Sequence, residues 1–242
     1  MKPCVSFSTK CWEGDYRSAL GEAGSAAEQV ARCVYPFTLR QVIVNNVVDD
    51  VEAEVLGDLA LWRGDVDRVL FASDYADVVL GHFKLTREDL GRGYVYSICE
   101  MTEIFLADEP YLLHFAGDVA LTESMDWIPR AVEILETSPN IAVVNPLWNG
   151  RLAEAEAESL ADAGDHLVGY GFSDQCYLVR VADFREDILR ETHPAGARYP
   201  AYGGELFEKR VDAWMRNHGR LRATMKYVSY THPWRWEERS AA

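Results

Sequence analysis

Five short apolar runs recur along this chain, and each is a solid block rather than an alternation of apolar and polar residues. They are Val5 to Ser8, Gln41 to Asn45 (QVIVN), Arg68 to Ala72 (RVLFA), Tyr111 to Phe115 (YLLHF) and Ile141 to Asn145 (IAVVN). Blocks of this kind are strands buried on both faces. Between them lie stretches with helical character. Asp15 to Cys33 is rich in Ala and Glu. Asp50 to Trp62 repeats Val51, Val55, Leu59 and Trp62 at helical spacing. Tyr94 to Ala107 sets Ile98, Met101, Phe105 and Leu106 on one side, and Met125 to Thr137 does so with Trp127, Ala131, Ile134 and Leu135. Strands alternating with helices predict an α/β fold, a mainly parallel sheet with helices on both faces.

The second half is less regular. Arg151 to Asp165 is acidic and Ala-rich and reads as a solvated face, helical or loop. Tyr177 to Val181 is a strand signal. Glu205 to His218 reads as a helix closed by Gly219, and Leu221 to Tyr230 is β-rich. Neither an internal repeat nor a long linker divides the chain. The expectation is one domain over 1–242, with a nucleotide-binding half (1–120) and an irregular acceptor half (121–242).

Charge narrows the partners. With 24 basic against 39 acidic residues the net charge is -15, the wrong sign for a duplex-binding protein. The densest basic stretch, Arg216 to Lys226, is ordinary surface charge, so no nucleic acid partner is expected. Five cysteines, an odd number without a C-x-x-C pair, argue against a disulfide framework or structural zinc. The N-terminal stretch lacks the apolar core of a signal peptide, and no window approaches the roughly 20 apolar residues of a membrane helix. A cytoplasmic protein without a membrane span is expected, and a homodimer stays open.

The edge that binds ligands in a parallel sheet is the one at the carboxyl ends of the strands. Here the apolar runs end at Ser8-Thr9-Lys10-Cys11-Trp12, Asn45-Asn46, Ser73-Asp74, Gly117-Asp118 and Asn145-Pro146. Five polar endings on one edge make a polar crevice. The fourth is the most informative, because an apolar strand breaks at a glycine and presents a single carboxylate, Asp118. Gly-Asp is also a common turn pair. No G-x-G-x-x-G follows the first strand and no G-x-x-x-x-G-K-[ST] occurs, which leaves dinucleotide and Walker-type sites without support.

The order VSFSTKCWEGDYR, QVIVNN, GYVYSICEMTEIFLAD leading into YLLHFAGDVAL, then SDQCYLV, YGGELFEKRVDAWMRNHGR and YTHP covers nearly the whole chain. In that order it resembles a glycosyltransferase of the GT-A fold, most similar to the family 2 type. The resemblance implies that the fourth strand ends in an Asp-x-Asp signature, which holds Mg²⁺ or Mn²⁺ and, through it, the diphosphate of a nucleotide-sugar donor. The matching triplet here is Ala116-Gly117-Asp118. The last acid is present and the first is alanine, which leaves open the ribose contact and the metal itself. The resemblance also implies a late histidine ligand, and His232 falls at that place; a surface histidine in a turn is the competing reading. It implies nucleotide contacts at Thr9, Lys10 and Asn45, with Arg17 and Arg92 as further phosphate candidates. It implies a general base near a helix start after a small-residue loop. Gly203 and Gly204 precede Glu205, and Glu208 follows at i+3 on the same helix face. The glycines would allow close approach of a ligand. Which of the two acids is the base stays open, and acids in a first helical turn also serve the helix dipole alone.

Other residues add to a carbohydrate site. Asp174 with Gln175 could hold an acceptor hydroxyl, or be a turn. Aromatic platforms come from Trp148 and Tyr202 first, then Tyr170, Phe172, Tyr199, Trp234 and Trp236. The function expected is a hexosyltransferase-type enzyme (EC 2.4) that moves a sugar from a nucleotide sugar to a hydroxyl acceptor, small molecule or glycan, metal-assisted and inverting. In this scheme Asp118 and His232 hold the metal, and Glu205, Glu208 and Asp174 do the acid–base work. The alternative is a non-catalytic nucleotide-sugar or carbohydrate binder on the same scaffold, motivated by Ala116. A nucleotidyltransferase shares the sheet but needs a Gly-rich basic loop after the first strand, and STKCWEGDYR has one glycine.

Overall fold

The computed structural model describes residues 2–233. In chain order the elements are β1 (Val5–Cys11), α1 (Tyr16–Leu20), α2 (Ser25–Arg32), β2 (Leu39–Val44), α3 (Asp50–Arg63), β3 (Arg68–Phe71), α4 (Ala72–His82), α5 (Arg87–Leu90), α6 (Tyr94–Leu106), β4 (Tyr111–Phe115) and β5 (Ala120–Leu121). There follow α7 (Ile128–Thr137), β6 (Ile141–Trp148), α8 (Leu152–Glu158), β7 (Ser159–Asp162), β8 (His166–Gly169), β9 (Cys176–Arg180), α9 (Val181–Phe184), α10 (Phe207–Asn217) and β10 (Leu221–Thr231). They build one sheet in the order β3-β2-β1-β4-β9-β6-β10-β8-β7, with β5 paired to β10. The first four strands in that order are mutually parallel. Beyond β4 the pairing is mixed: β9 runs antiparallel to β4 and β6, whereas β10 runs parallel to β6. The fold is mixed α/β, as the solid apolar runs require.

Helices cover both faces, and the strands show why each run is apolar throughout. Leu112, Tyr177 and Val179 join the core under α4, α6 and α10, whereas their neighbours Leu113, Cys176 and Leu178 join the core under α7. On β2 the split is the same, with Ile43 on the first face and Val42 and Val44 packed under α1 and α3. A strand with period-2 side chains and apolar cover on both sides is apolar at most positions, and the few polar ones, such as Gln41 and His114, are buried.

Several expectations change. The first strand does not end at Ser8; it continues through Cys11 because Thr9, Lys10 and Cys11 pair with Val42, Ile43 and Val44. The single helix expected over Asp15 to Cys33 is two, separated by Gly21 to Gly24, where Ala23 has φ +52. Ser73-Asp74 is not a strand end but the first turn of α4. Asn145-Pro146 lies inside β6, which runs on to Trp148. The apolar row Val51, Val55, Leu59 and Trp62 of α3 faces outward, and the helix packs through Ala53, Gly57 and Ala60 instead. A Cβ on Gly57 would stand 3.1 Å from Val69, so a small face lets α3 lie close on the sheet. All five cysteines are free thiols. Among the described residues no helix is long and apolar enough to cross a membrane.

Candidate active site

The strand order reverses at β1, which has β2 on one side and β4 on the other. Such a switch point opens a crevice at the carboxyl ends of the strands. A cavity of about 230 Å³ lies there. Its wall takes Lys10 and Trp12 from the end of β1, Asn45 from the end of β2, Tyr96 from α6, and Gly117-Asp118 from the end of β4.

Gly117 is dictated by packing. A Cβ at that position would stand 2.2 Å from the Lys10 carbonyl oxygen, so only glycine lets the chain leave β4 past β1. Asp118 follows on the cavity rim with its side chain 38% exposed and its Oδ2 4.0 Å from His232 Nε2. The strand β10 delivers His232 just past its last residue. A second carboxylate, Asp15, comes from the loop before α1. It accepts a hydrogen bond of 2.7 Å from the Trp12 backbone N–H. Burial pushes its acid group up to about 6, the Trp12 hydrogen bond pulls against this, and the charge of Asp118 adds to the rise. Residue-by-residue reading passes over Asp15, because an acid ahead of a helix looks like an ordinary cap; what reveals it is the folding of β1 against β4.

A charged cluster stands beside the cavity. The Lys10 ammonium pairs with the buried Glu100 of α6 and reaches Asp174 at 3.5 Å. Burial works against this ammonium, but the charges of Glu100 and Asp174 outweigh it, so Lys10 stays protonated well beyond its ordinary range. Glu208, in the first turn of α10, faces the same group. Burial raises its carboxyl first and the Asp174 charge raises it further, against pulls from the Asp174 backbone N–H and Lys10, and it stands at about 8. Three acids share one lysine, and Glu208, buried beside another carboxylate, holds its proton beyond the ordinary carboxyl range.

Glu205 is held otherwise. Its carboxylate pairs with Lys209 at 2.5 Å and lies 3.9 Å from Arg210. Gly203 and Gly204 approach not a cavity but their own surroundings: a Cβ on Gly204, at φ +67, would meet the Gly93 nitrogen at 3.0 Å, and one on Gly203 would meet Leu206. Thr9 does not line the cavity; it is an interior strand residue, buried, with an unpartnered hydroxyl. Asn45 does line it, and its side-chain amide donates to the Val95 carbonyl at 2.8 Å. Arg17 is engaged with Glu52 and Glu13. Arg92 lies in the Gly91–Gly93 turn that the Gly204 backbone abuts.

Of the aromatic candidates, Trp148 is exposed at the end of β6 with Arg151 stacked on its ring at 4.2 Å. Tyr199 donates to the Phe172 carbonyl at 3.0 Å, and Phe172 is core. The Tyr202 backbone lies in the Ala201–Gly203 turn, and its side chain, like Trp234 and Trp236, falls outside the described part. The half-exposed rings on the cavity are Trp12 and Tyr96 instead.

Below the site, Glu103 accepts from the Tyr177 hydroxyl at 2.6 Å and contacts His114 Nδ1 at 2.8 Å, all three buried. The His114 and Tyr177 rings stack at 4.7 Å. This network ties α6 to β4 and β9, the elements that carry Glu100, Asp118 and Asp174. Polar side chains on an otherwise apolar helix are its sequence trace.

No protein-family model matches the chain, and no curated protein matches it at significant similarity. Solved structures do resemble it in fold. GalNAc-T7 with UDP, GalNAc and Mn²⁺ superposes with a TM-score of 0.55 at 8% identity, over 96% of this chain and 44% of that one. Glucosyl-3-phosphoglycerate synthase from Mycobacterium tuberculosis, with Mg²⁺ and UDP, gives 0.50 at 15% identity over 99% and 75%. TarS residues 1–349 from S. aureus gives 0.50 at 12% over 94% and 60%. The chain therefore has a GT-A-like fold. At these identities the likeness is one of fold, and function has to be argued from the site.

Proposed function

We propose that this protein is a glycosyltransferase that uses a nucleotide-sugar donor, with the donor in the cavity at the β1–β4 switch point. The observation that carries this reading is the placement of Asp118 on the rim of that cavity, opposite His232 and beside the aromatic rings of Trp12 and Tyr96. Rings on a cleft wall suit a stacked base, and the amide of Asn45 offers both donor and acceptor.

A divalent cation fits two donors here. Asp118 and His232 stand 4.0 Å apart across the rim, a span one small cation can bridge. Among the described residues no group of three or more His, Cys, Asp or Glu side chains forms a complete cage. Mg²⁺ commonly takes only one or two protein ligands and completes its shell with phosphate oxygens and water. Bound between Asp118 and His232, Mg²⁺ or Mn²⁺ would neutralise charge building on the departing nucleoside diphosphate.

The protein's own groups supply the rest. Glu208 is the general base for the acceptor hydroxyl, chosen over Glu205 because Glu205 is neutralised by Lys209 and Arg210. A carboxyl held at about 8 is a stronger base once ionised than an ordinary one, and its basicity suits operation near neutral pH. Asp174 orients the hydroxyl, and Lys10 pairs with both Asp174 and Glu100. Attack opposite the leaving group inverts the anomeric centre.

Release of nucleoside diphosphate from a panel of sugar nucleotides with Mn²⁺ tests this. Turnover in the wild type that disappears in Asp118→Ala, at unchanged melting temperature, supports it. The alanine at position 116 favours the second reading, a binder on the same scaffold. Thermal stabilisation by a nucleoside diphosphate without any turnover selects that one, and neither stabilisation nor turnover overturns both.

A further inference from the structure

On the far side of Ser173-Asp174-Gln175 lies a second cavity of about 340 Å³. The Ala116 amide, on the wall of the first cavity, bonds to the carbonyl of Gln175, which lines the second, at 2.8 Å, so one hydrogen bond joins the two walls. The Tyr230 hydroxyl, two residues before His232, donates to the Gln175 side chain at 3.1 Å. In a chain of net charge -15, this cavity carries arginines: Arg222 from β10, Arg198 from the Pro194–Arg198 turn, and Arg151 at the mouth.

Arg198 and Arg222 converge. One terminal nitrogen of each stands 3.3 Å from the point where a Cβ on Gly171 would lie, with Gly171 at φ +110. Like charges this close repel, and little on the protein offsets it. Arg222 Nε is buried with no hydrogen-bond partner. Its nearest carboxylate, Glu158, is exposed and 3.9 Å away. Arg198 stacks on Tyr199 and has no carboxylate within ion-pair distance among the described residues. Glu154, also on the wall, is taken by Arg151. Burial lowers the affinity of Arg222 for its proton, and Arg198 opposes its charge as well. An enclosed guanidinium with an idle N–H is costly to keep unless something pairs with it, and two guanidinium forks in one cavity match the oxygens of a carboxylate or phosphate.

We propose that Arg198 and Arg222 bind an oxyanion, a phosphate monoester or carboxylate, carried by the sugar acceptor. The role as acceptor subsite rests on the transferase reading above; the anion site itself does not. Glu208 accepts a hydrogen bond from the Asp174 backbone N–H, and the flanking Ser173 and Gln175 line this cavity, so an anion held here leaves the rest of a small acceptor near the segment that holds the proposed base.

Calorimetric titration of the whole chain with inorganic phosphate, and separately with acetate, tests the site. Saturable binding of either ion is expected, weakened about tenfold or more in Arg222→Met and in Arg198→Met, the size expected for lost charge-assisted hydrogen bonds. The tighter of the two ions names the acceptor group. Arg198 is on the surface, so its variant folds even where the Arg222 variant does not. Absence of binding by both ions up to tens of millimolar, or equal affinity in Arg198→Met, overturns the proposal. UDP with Mn²⁺ is titrated in parallel and should bind every variant alike. Wild-type protein that binds phosphate but not UDP rejects the donor assignment and keeps the anion site.

Discussion

Two cavities are joined through the Ala116–Gln175 hydrogen bond, and they differ in the charge that predominates. The cavity at the β1–β4 switch point presents Asp15 and Asp118. Its neighbour presents Arg151, Arg198 and Arg222. A diphosphate in the first would meet two carboxylates beside Lys10, which favours a cation between them. An anion enters the second directly. Net charge says nothing of this partition; it arises because the end of β4 and the loop before α1 bring one acid each to the first cavity, whereas β10 and the Pro194–Arg198 turn bring arginines to the second. The comparison predicts that cations govern one cavity and anions the other.

The largest effect should come from the acid between them. Glu208→Gln is expected to lower kcat about 10²–10⁴-fold, the range for loss of a general base, with KM for the donor little changed. The pH profile gives the sharper test. A base acts when deprotonated, and the folded-state value is about 8, so the wild-type rate should rise with pH, reach half its maximum near 8 and level off above it. Stability should move the other way. The folded chain holds this proton more tightly than the unfolded chain does, so stability from this group is greatest below the ordinary carboxyl range and is lost as pH rises through about 8. Glu208→Gln should flatten both curves; an unchanged rate profile would move the base elsewhere.

Next is Asp118→Ala, expected to cost about 10²-fold or more in turnover, the several kcal/mol of charge stabilisation a metal supplies. Mn²⁺ dependence should vanish with it, whereas phosphate affinity at Arg198 and Arg222 should stay. A variant that lost both would show that the cavities are one site.

Lys10→Met acts on the shared cluster. It leaves Glu100 buried without its partner, and removing one member of a buried pair costs about 3–5 kcal/mol. A fall in the denaturant midpoint is the readout. A shift below about 1 kcal/mol would mean that Glu100 simply takes up a proton.

Much of the fold was legible, because solid apolar runs admit few alternatives. The edge of the sheet that carries the site was legible for the same reason, and Gly117-Asp118 stood out as an apolar strand ending in glycine and acid. What escaped were contacts made across the fold. In sequence Thr9 looks like an edge residue because polar residues usually end strands, yet pairing with Val42 holds it inside β1. Asp15 and the Arg198–Arg222 pair became visible only once distant segments met. The expected helix from Glu205 starts instead at Phe207, which leaves Glu205 ahead of α10, where Lys209 claims it, and Glu208 in the first turn; what sets Glu208 apart is its contact with the distant Asp174.

The smallest effect should be on α3, and it serves as the control for the comparison. Its apolar row was the strongest periodic signal of that segment, yet Trp62 is 85% exposed and Val51 70%. The helix packs through Ala53, Gly57 and Ala60, since bulkier residues would hold it off β3. Periodicity locates a stripe, and the sheet takes whichever face fits closer. Trp62→Glu should therefore change stability by no more than about 0.5 kcal/mol, as for other surface sites, and leave UDP and phosphate binding untouched. Gly57→Leu, on the inconspicuous face, should cost about 1–3 kcal/mol through overpacking against Val69. Thermal melts of the two variants decide which face is buried: a larger loss from Trp62→Glu than from Gly57→Leu would mean that the apolar row is covered in solution.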